Sequence, residues 1–400
     1  MVNVDPTVNA ASDWAGSGLA YLTGRAAGAP DFSRAAVLAE ARRVAADIAG
    51  LLGVEVDPAT TLAGRAAILN LTRRGRVSAG GATRMLATAD GWCAVALPRA
   101  DDVAALPALL EVDAVTGDPW TALSCWAATR STEAVVSRGQ LLDIATAALG
   151  EVAAELPAVR PGHGTAGPRR ADGLLVADLS SLWAGPLCAQ LLARAGAVVV
   201  KVESPSRPDG TRSGEPAFFD WMNFGKLSYA VDFDDSDVLR QLLTAADIVI
   251  EGSRPGSLRR RQLSADDLPG QRGRIWLRIK GYRDQPQRAA FGDDAAVAGG
   301  LVGAAADGPV FCGDAIADPL SGLEAARAVG ESLRRGGGEL IDVSMAQVAA
   351  RYAALPGAAS SSAAPAAPPQ PPPPVPSASP LGADNAAVRH IVSERLCASC

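Results

Sequence analysis

Between Leu174 and Val343 the sequence alternates short apolar runs with stretches long enough for a helix. Few architectures accommodate that alternation. The runs are Leu174 to Leu179, Ala197 to Val202, Leu227 to Val231, Asp247 to Ile250, Ile275 to Ile279 and Leu340 to Val343. Gly185 to Ala195, Ser236 to Ala245 and Leu320 to Arg334 fall between them. Parallel strands require a crossover, usually helical, and strands covered on both faces read as continuous apolar runs rather than alternating ones. The pattern therefore predicts an α/β fold: a Rossmann-like, mostly parallel sheet with helices on both faces, spanning 173–355.

The remainder divides by composition. Residues 1–150 carry helix-period apolar spacing, as in Leu38, Ala41, Val44, Ala45 and Ile48, with one strand expected at Trp92 to Leu97 after the turn Ala89-Asp90-Gly91. This stretch reads as a smaller, mainly helical domain. Residues 151–172 turn to Pro, Gly and Arg and read as a linker, and 356–381 collapse to Ala, Pro and Ser, with Pro371 to Pro374 in succession. That second stretch is expected to be extended or disordered, ahead of a short tail at 382–400.

With 48% hydrophobic and 20% charged residues among 400, the chain has enough apolar material for two ordinary domains. No run approaches the ~18 apolar residues of a membrane span, and Met1 to Asn9 lacks a basic-then-apolar signal pattern, so a cytoplasmic location without a membrane partner is expected. The balance of 37 Lys and Arg against 43 Asp and Glu gives no global attraction to nucleic acid. Six cysteines are too few for a disulfide scaffold. Cys93, Cys125, Cys188 and Cys312 sit in apolar segments and are expected to be buried thiols, while Cys397 and Cys400 form a lone C-x-x-C that lacks a second ligand pair, so no metal is expected.

Only two histidines occur, His163 in the linker and His390 in the tail, which disfavours imidazole-based catalysis and turns attention to carboxylates. Two segments stand out. The first, Asp178-Leu179-Ser180-Ser181-Leu182-Trp183-Ala184-Gly185-Pro186, is a strand running through a small turn into a helix, where backbone N–H groups attract anions. A dinucleotide fingerprint with Glu203 as the ribose acid fails, because the turn has one of the three glycines that motif needs. The second is Asp318-Pro319, directly ahead of a helical run. On pattern alone it reads as a helix cap. Its other reading is a reactive carboxylate, with Asp314 as rival.

The run Leu174 to Glu203, with Asp-Leu-Ser, Ala-Gly-Pro and Ala-Gly-Ala-Val-Val-Val-Lys-Val-Glu, resembles the opening of the class III CoA-transferase family (CaiB/BaiF type), which includes formyl-CoA transferase and alpha-methylacyl-CoA racemase. Successive landmarks follow in order: Asp209-Gly210-Thr211-Arg212, Asn223 to Ser228, Ala246 to Glu251, Arg254-Pro255-Gly256, Lys280-Gly281-Tyr282, Asp318 to Gly322 and Ile341 to Met345. Trp14 to Leu19 with Leu22 to Arg25 looks like the family's segment before its catalytic aspartate, and Ala89 to Trp92 like the start of its small domain. The domain order thus resembles a rearranged member.

The resemblance implies that Asp318 is the nucleophile, forming an aspartyl mixed anhydride and then an aspartyl-CoA thioester. A carboxylate with a pKa near 3.9 would need no general base. It also implies that Leu182, Trp183 and Ala184 border coenzyme A, with Lys226, Arg260 and Lys280 as contacts to phosphate or pantetheine. The expected reactants are an acyl-CoA and an acceptor carboxylic acid, with CoA as substrate rather than tightly bound cofactor, in a homodimer. The alternatives are a racemase or isomerase, and a non-catalytic CoA-binding subunit. The racemase histidine has no counterpart in Ala290 to Ala295, where Asp293 or Asp294 would have to serve as base.

Overall fold

The computed structural model describes residues 6–253, 256–359, 361–362 and 364–398. Met1–Asp5, Arg254, Pro255 and Cys400, on which parts of the sequence reading rest, lie outside them. Helices α1 (Pro6–Gly16), α2 (Leu19–Leu22), α3 (Ala36–Leu52) and α4 (Pro58–Ile68) come first. A small unit follows, built from β1 (Thr83–Ala87), β2 (Trp92–Ala96), α5 (Ala100–Ala104), α6 (Leu106–Leu110), α7 (Pro119–Ala128), α8 (Thr132–Leu141) and β3 (Ala145–Ala148). The chain then runs through β4 (Ala158–Pro161), β5 (Leu175–Leu179), α9 (Ala184–Arg194), β6 (Val198–Glu203), α10 (Pro216–Asn223), β7 (Leu227–Ala230), α11 (Ser236–Ala245) and β8 (Ile248–Glu251). After α12 (Gly256–Arg260) come β9 (Ile275–Lys280), α13 (Gly292–Ala298), the hairpin β10 (Val302–Ala305) and β11 (Gly308–Phe311), α14 (Ala317–Arg335), β12 (Glu339–Ser344), α15 (Met345–Ala353) and α16 (Asn385–Ala398).

The expected parallel sheet is present, with seven strands in the order β4-β12-β9-β8-β5-β6-β7. Every pairing is parallel except that of β4, which adds an antiparallel edge to β12 within what reads as a linker. Side chains alternate between two cores. Val176, Ile248 and Ile250 enter a core shared with α9 and α14, and Leu175, Ala177 and Val249 enter a second core under α11 and α16. The strand order reverses at β5, which pairs with β6 on one side and β8 on the other. Open parallel sheets bind ligands outside the carboxyl ends of their strands at such a reversal.

One expected boundary changes. The 1–150 domain divides: Trp14, Leu38, Ile48 and Leu62 from the first helices share one core with Leu187, Leu320 and Ile341, so α1 to α4 pack with the sheet. The separate unit is a three-stranded antiparallel sheet, order β1-β2-β3, covered by α6 to α8 around Leu109, Leu123 and Val135. Its edge strands Thr-Arg-Met-Leu-Ala and Ala-Thr-Ala-Ala lack the continuous apolar run that reveals β2. On α7, Leu123, Trp126 and Ala127 turn inward, which leaves Cys125 exposed rather than buried. Cys93, Cys188 and Cys312 are buried as expected.

The Ala/Pro/Ser stretch is extended, as its composition demands, but it is anchored. Its amides donate to other elements, Ala358 to Ser33 O, Ala367 to Ala15 O and Ala378 to Asp220 Oδ1. The tail is a helix. Asp384 and Asn385 lie against the edge of β7, where Asp384 Oδ2 accepts from Ser228 N and Asn385 bonds both N and O of Ala230. These side chains satisfy backbone groups that an open edge would leave bare.

Candidate active site

Helix α4 starts cleanly, with Pro58 in its first turn and Asp57 accepting from the amides of Ala59 and Thr60. Its buried face, Leu62, Ala63 and Ala66, fixes its rotation and brings Arg65 over the start of α14. Arg65 Nη1 donates to both carboxylate oxygens of Asp314, at 2.7 and 2.8 Å. The guanidinium also lies 5.6 Å from the ring centres of both Trp183 and Phe218, and those two rings meet edge to face at 5.4 Å. Arg65 is absent from the sequence reading because its helix carries an ordinary apolar pattern and its partner is 249 residues away.

Asp318 lies in the first turn of α14, not at its cap; the cap position is Ile316, which makes no side-chain hydrogen bond. The cap reading therefore fails. The start of α13 approaches so closely that a Cβ on Gly292 would sit 2.4 Å from Asp318 Oδ2, so only glycine fits there. Asp293, the next residue, accepts from Ala315 N at 3.0 Å and from Thr83 Oγ1 at 3.3 Å. Three carboxylates thus gather around one guanidinium. Asp314 and Asp293 have partners, whereas Asp318 has no ion-pair partner among the described residues. Asp294 is buried and its Oδ1 accepts from Phe291 N at the start of α13, a structural role.

This crowding changes the expected ionisation. Burial, reinforced by the charges of Asp293 and Asp314 and opposed by Arg65, pushes Asp318 up to about 7. Burial and the neighbouring Asp314 push Asp293 up to about 6. Asp318 is therefore not fully ionised at neutral pH, contrary to the simple reference-pKa expectation.

Beside this cluster, the turn from β5 into α9 carries Leu182, Trp183 and Ala184. Leu182 adopts φ 70°, a left-handed conformation costly for leucine, and its amide donates to Asp209. Lys201 Nζ ties Asp209 to Ser180 O at the same turn. Gly185 permits the turn to close, since a Cβ there would meet Ser180 Oγ at 2.2 Å. Trp183 is buried and Ala184 starts α9, whose first turn packs on α14 at Gly322.

The expected cationic contacts do not converge on Asp318. Lys226 is buried under α9, its ammonium donating to Asp178 Oδ2, Pro186 O and Asn223 Oδ1 at 3.0, 3.0 and 3.1 Å. All three donors are used, so a phosphate contact would need that network to open. Lys280 ends β9 and pairs with Asp342 at 3.3 Å, its side chain leaving from the sheet face opposite Leu277 and Ile279. Arg260 is exposed on α12, beyond the carboxyl end of β8. Leu182, Arg260 and Lys280 follow or end three adjacent strands, and so share one edge of the sheet.

Residues 172–383, more than half of the chain, match the family described as CoA-transferase family III. The chain belongs to that family. Among curated relatives, the succinyl-CoA–D-citramalate CoA-transferase of Chloroflexus aurantiacus is 30% identical over 202 residues, covering 44% of this chain and 50% of the relative. An acyl-CoA transferase of Fusarium pseudograminearum is 33% identical over 202 residues, covering 43% and 44%. The chain thus spans about half the length of the curated relatives it matches. A hypothetical protein of Mycobacterium tuberculosis of known structure is 30% identical, covering 47% of this chain and 56% of that one, at a TM-score of 0.41. Asp293, Asp314 and Asp318 lie inside the family segment, and Arg65 lies outside it.

Proposed function

We propose that this chain moves CoA from an acyl-CoA thioester to an acceptor carboxylate through a covalent intermediate on Asp318. The observation that carries the reading is the contrast within the carboxylate cluster. Asp314 is engaged by Arg65 and Asp293 by Ala315 and Thr83, whereas Asp318, partly exposed and without a counter-ion among the described residues, accepts only the backbone N–H of Gly292 and keeps its remaining lone pairs for a substrate. The ionised carboxylate attacks the thioester carbonyl, CoA leaves as thiolate, and the thiolate attacks the carboxyl carbon of Asp318 in the mixed anhydride. This releases the donor acid and leaves an aspartyl-CoA thioester, with no proton transfer required. Coenzyme A enters this scheme as substrate.

This reading puts the nucleotide at the reversal point beyond β5 and β8, beside Leu182, Trp183 and Ala184, and is supported by Arg260 and Lys280 sharing that strand edge. Incubation with an acyl-CoA followed by hydroxylamine or borohydride should modify Asp318, as read by peptide mass spectrometry. A protein left unmodified by every donor would sink the reading. The family resemblance also carries the homodimer, which sedimentation of the full chain checks.

One observation favours a second reading. Asp293 is next to Asp318 and is pushed up to about 6, closer to the range in which a carboxylate accepts an α proton. Exchange of the α hydrogen of an acyl-CoA with deuterated water, without an Asp318 adduct, would support a racemase or isomerase instead.

A further inference from the structure

Arg65 commits one nitrogen to the protein. Nη1 holds Asp314, while Nε and Nη2 meet no acceptor among the described residues and are not sealed from solvent. The side chain is 24% exposed, so an outside group can reach it. Its guanidinium lies over the ring of Trp183, 2% exposed, whose indole Nε1 is buried without an acceptor among the described residues. Buried donors are seldom left unused, and one beside an open guanidinium fork asks for an oxyanion.

We infer that Arg65 and Trp183 form the subsite that holds the carboxylate of the acceptor acid. The inference rests on the transferase reading and adds to it the group that recognises the second substrate. Asp314 acts as a positioning residue: by occupying Nη1 it turns the remaining N–H groups of the fork toward the incoming acid. Phe218 and Trp183 supply aromatic walls, which suit a carboxylate on an apolar or planar carbon rather than a strongly hydrated one.

Charge balance gives the subsite an order of binding. In the free enzyme Arg65 is the cation facing three carboxylates, and a fourth negative charge would be repelled. Once Asp318 is converted to a thioester it is neutral, and the field of Arg65 becomes available to an external carboxylate. The acceptor oxygen then attacks the carboxyl carbon of Asp318, and the C–S bond breaks with its electron pair leaving on the CoA sulfur. The thiolate attacks the acceptor's carbonyl carbon in the new anhydride, whose C–O bond breaks to regenerate the Asp318 carboxylate. Donor first and acceptor second is thus built into the cluster.

The test uses the full chain at pH 8.5, where Asp318 is mostly ionised, with acetyl-, butyryl- and succinyl-CoA as donors and each donor's own carbon-13-labelled acid as acceptor. Any acid released from the enzyme must also be able to re-enter, so label exchange reads the subsite whichever acid is the natural acceptor. In Arg65→Gln the hydroxylamine-trapped adduct on Asp318 should still accumulate, while KM for the labelled acid rises at least tenfold. Arg65→Lys, which keeps the charge without the fork, should fall between wild type and Arg65→Gln, and Trp183→Phe should raise KM severalfold. Normal adduct formation with unchanged KM in Arg65→Gln overturns this inference and leaves the nucleophile intact. No wild-type adduct with any donor overturns both. Should Arg65→Gln fail to fold, the KM values of Arg65→Lys and Trp183→Phe decide, and if both match wild type the subsite is refuted.

Discussion

Two clusters of buried charge lie within one helix of each other and are built on opposite plans. Under α9, Asp178 pairs with Lys226, Asp209 with Lys201 and Glu203 with Arg212, three anions to three cations. Burial alone would raise Asp178 and Asp209, but the adjacent ammonium groups outweigh it and hold both carboxyls below their ordinary values. At the start of α14 three carboxylates share Arg65, and Asp293 and Asp318 are pushed up instead. The balanced cluster shapes a turn, bonding Ser180 O, Leu182 N and Pro186 O. The unbalanced one stores unmet electrostatic demand, which is what a site for chemistry requires.

The largest expected effect separates the clusters by activity. Asp318→Asn should lower CoA transfer by about 10⁴-fold or more with the fold intact, since a covalent nucleophile has been removed. Adduct trapping and circular dichroism on the same sample check this, and retention of turnover would erase the distinction drawn here. Next comes stability. Lys226→Met should destabilise the fold by about 3–5 kcal/mol, because it strands Asp178 without its counter-ion in a dry site. Urea denaturation reads this directly.

A smaller effect sharpens the contrast through pH. Adduct formation requires ionised Asp318, so its rate should rise about tenfold between pH 6 and 8 if the group titrates near 7. A flat profile over that range would mean that the cluster does not raise Asp318. The smallest effect concerns pH and stability together. The folded state binds a proton at Asp318 more tightly than the unfolded chain does, so this residue's contribution falls as pH rises from about 4 through 7. Asp318→Asn should therefore melt on the order of 2 °C above wild type at pH 8 and near wild type at pH 4. The balanced cluster has the reverse sign: stability from Asp178 and Asp209 is present above the ordinary carboxyl range and is lost as pH falls below it.

Legibility followed the range of the interaction. The strands from β5 to β12 of the main sheet were readable within a residue or two, because burial on both faces writes itself into consecutive positions. Helix α11 matches its expected bounds, and α14 begins three residues before the expected Leu320. The edge strands β1, β3 and β4 are not legible, being short and without a continuous run of large apolar residues. Asp318 stands out in the sequence only through the resemblance that the ordered landmarks around it carry. Arg65 was not found, since nothing within its own helix marks it.

The sequence by itself determined the sheet and its crossovers, which depend on neighbours close along the chain. Only the tertiary structure decided which charges face one another. It buried Lys226 against Asp178, left Lys280 to Asp342 on the other face of the sheet, and carried Arg65 from α4 to the start of α14. The physical reason is that a pKa and a binding site are set by distance and dielectric in three dimensions, and local periodicity records neither.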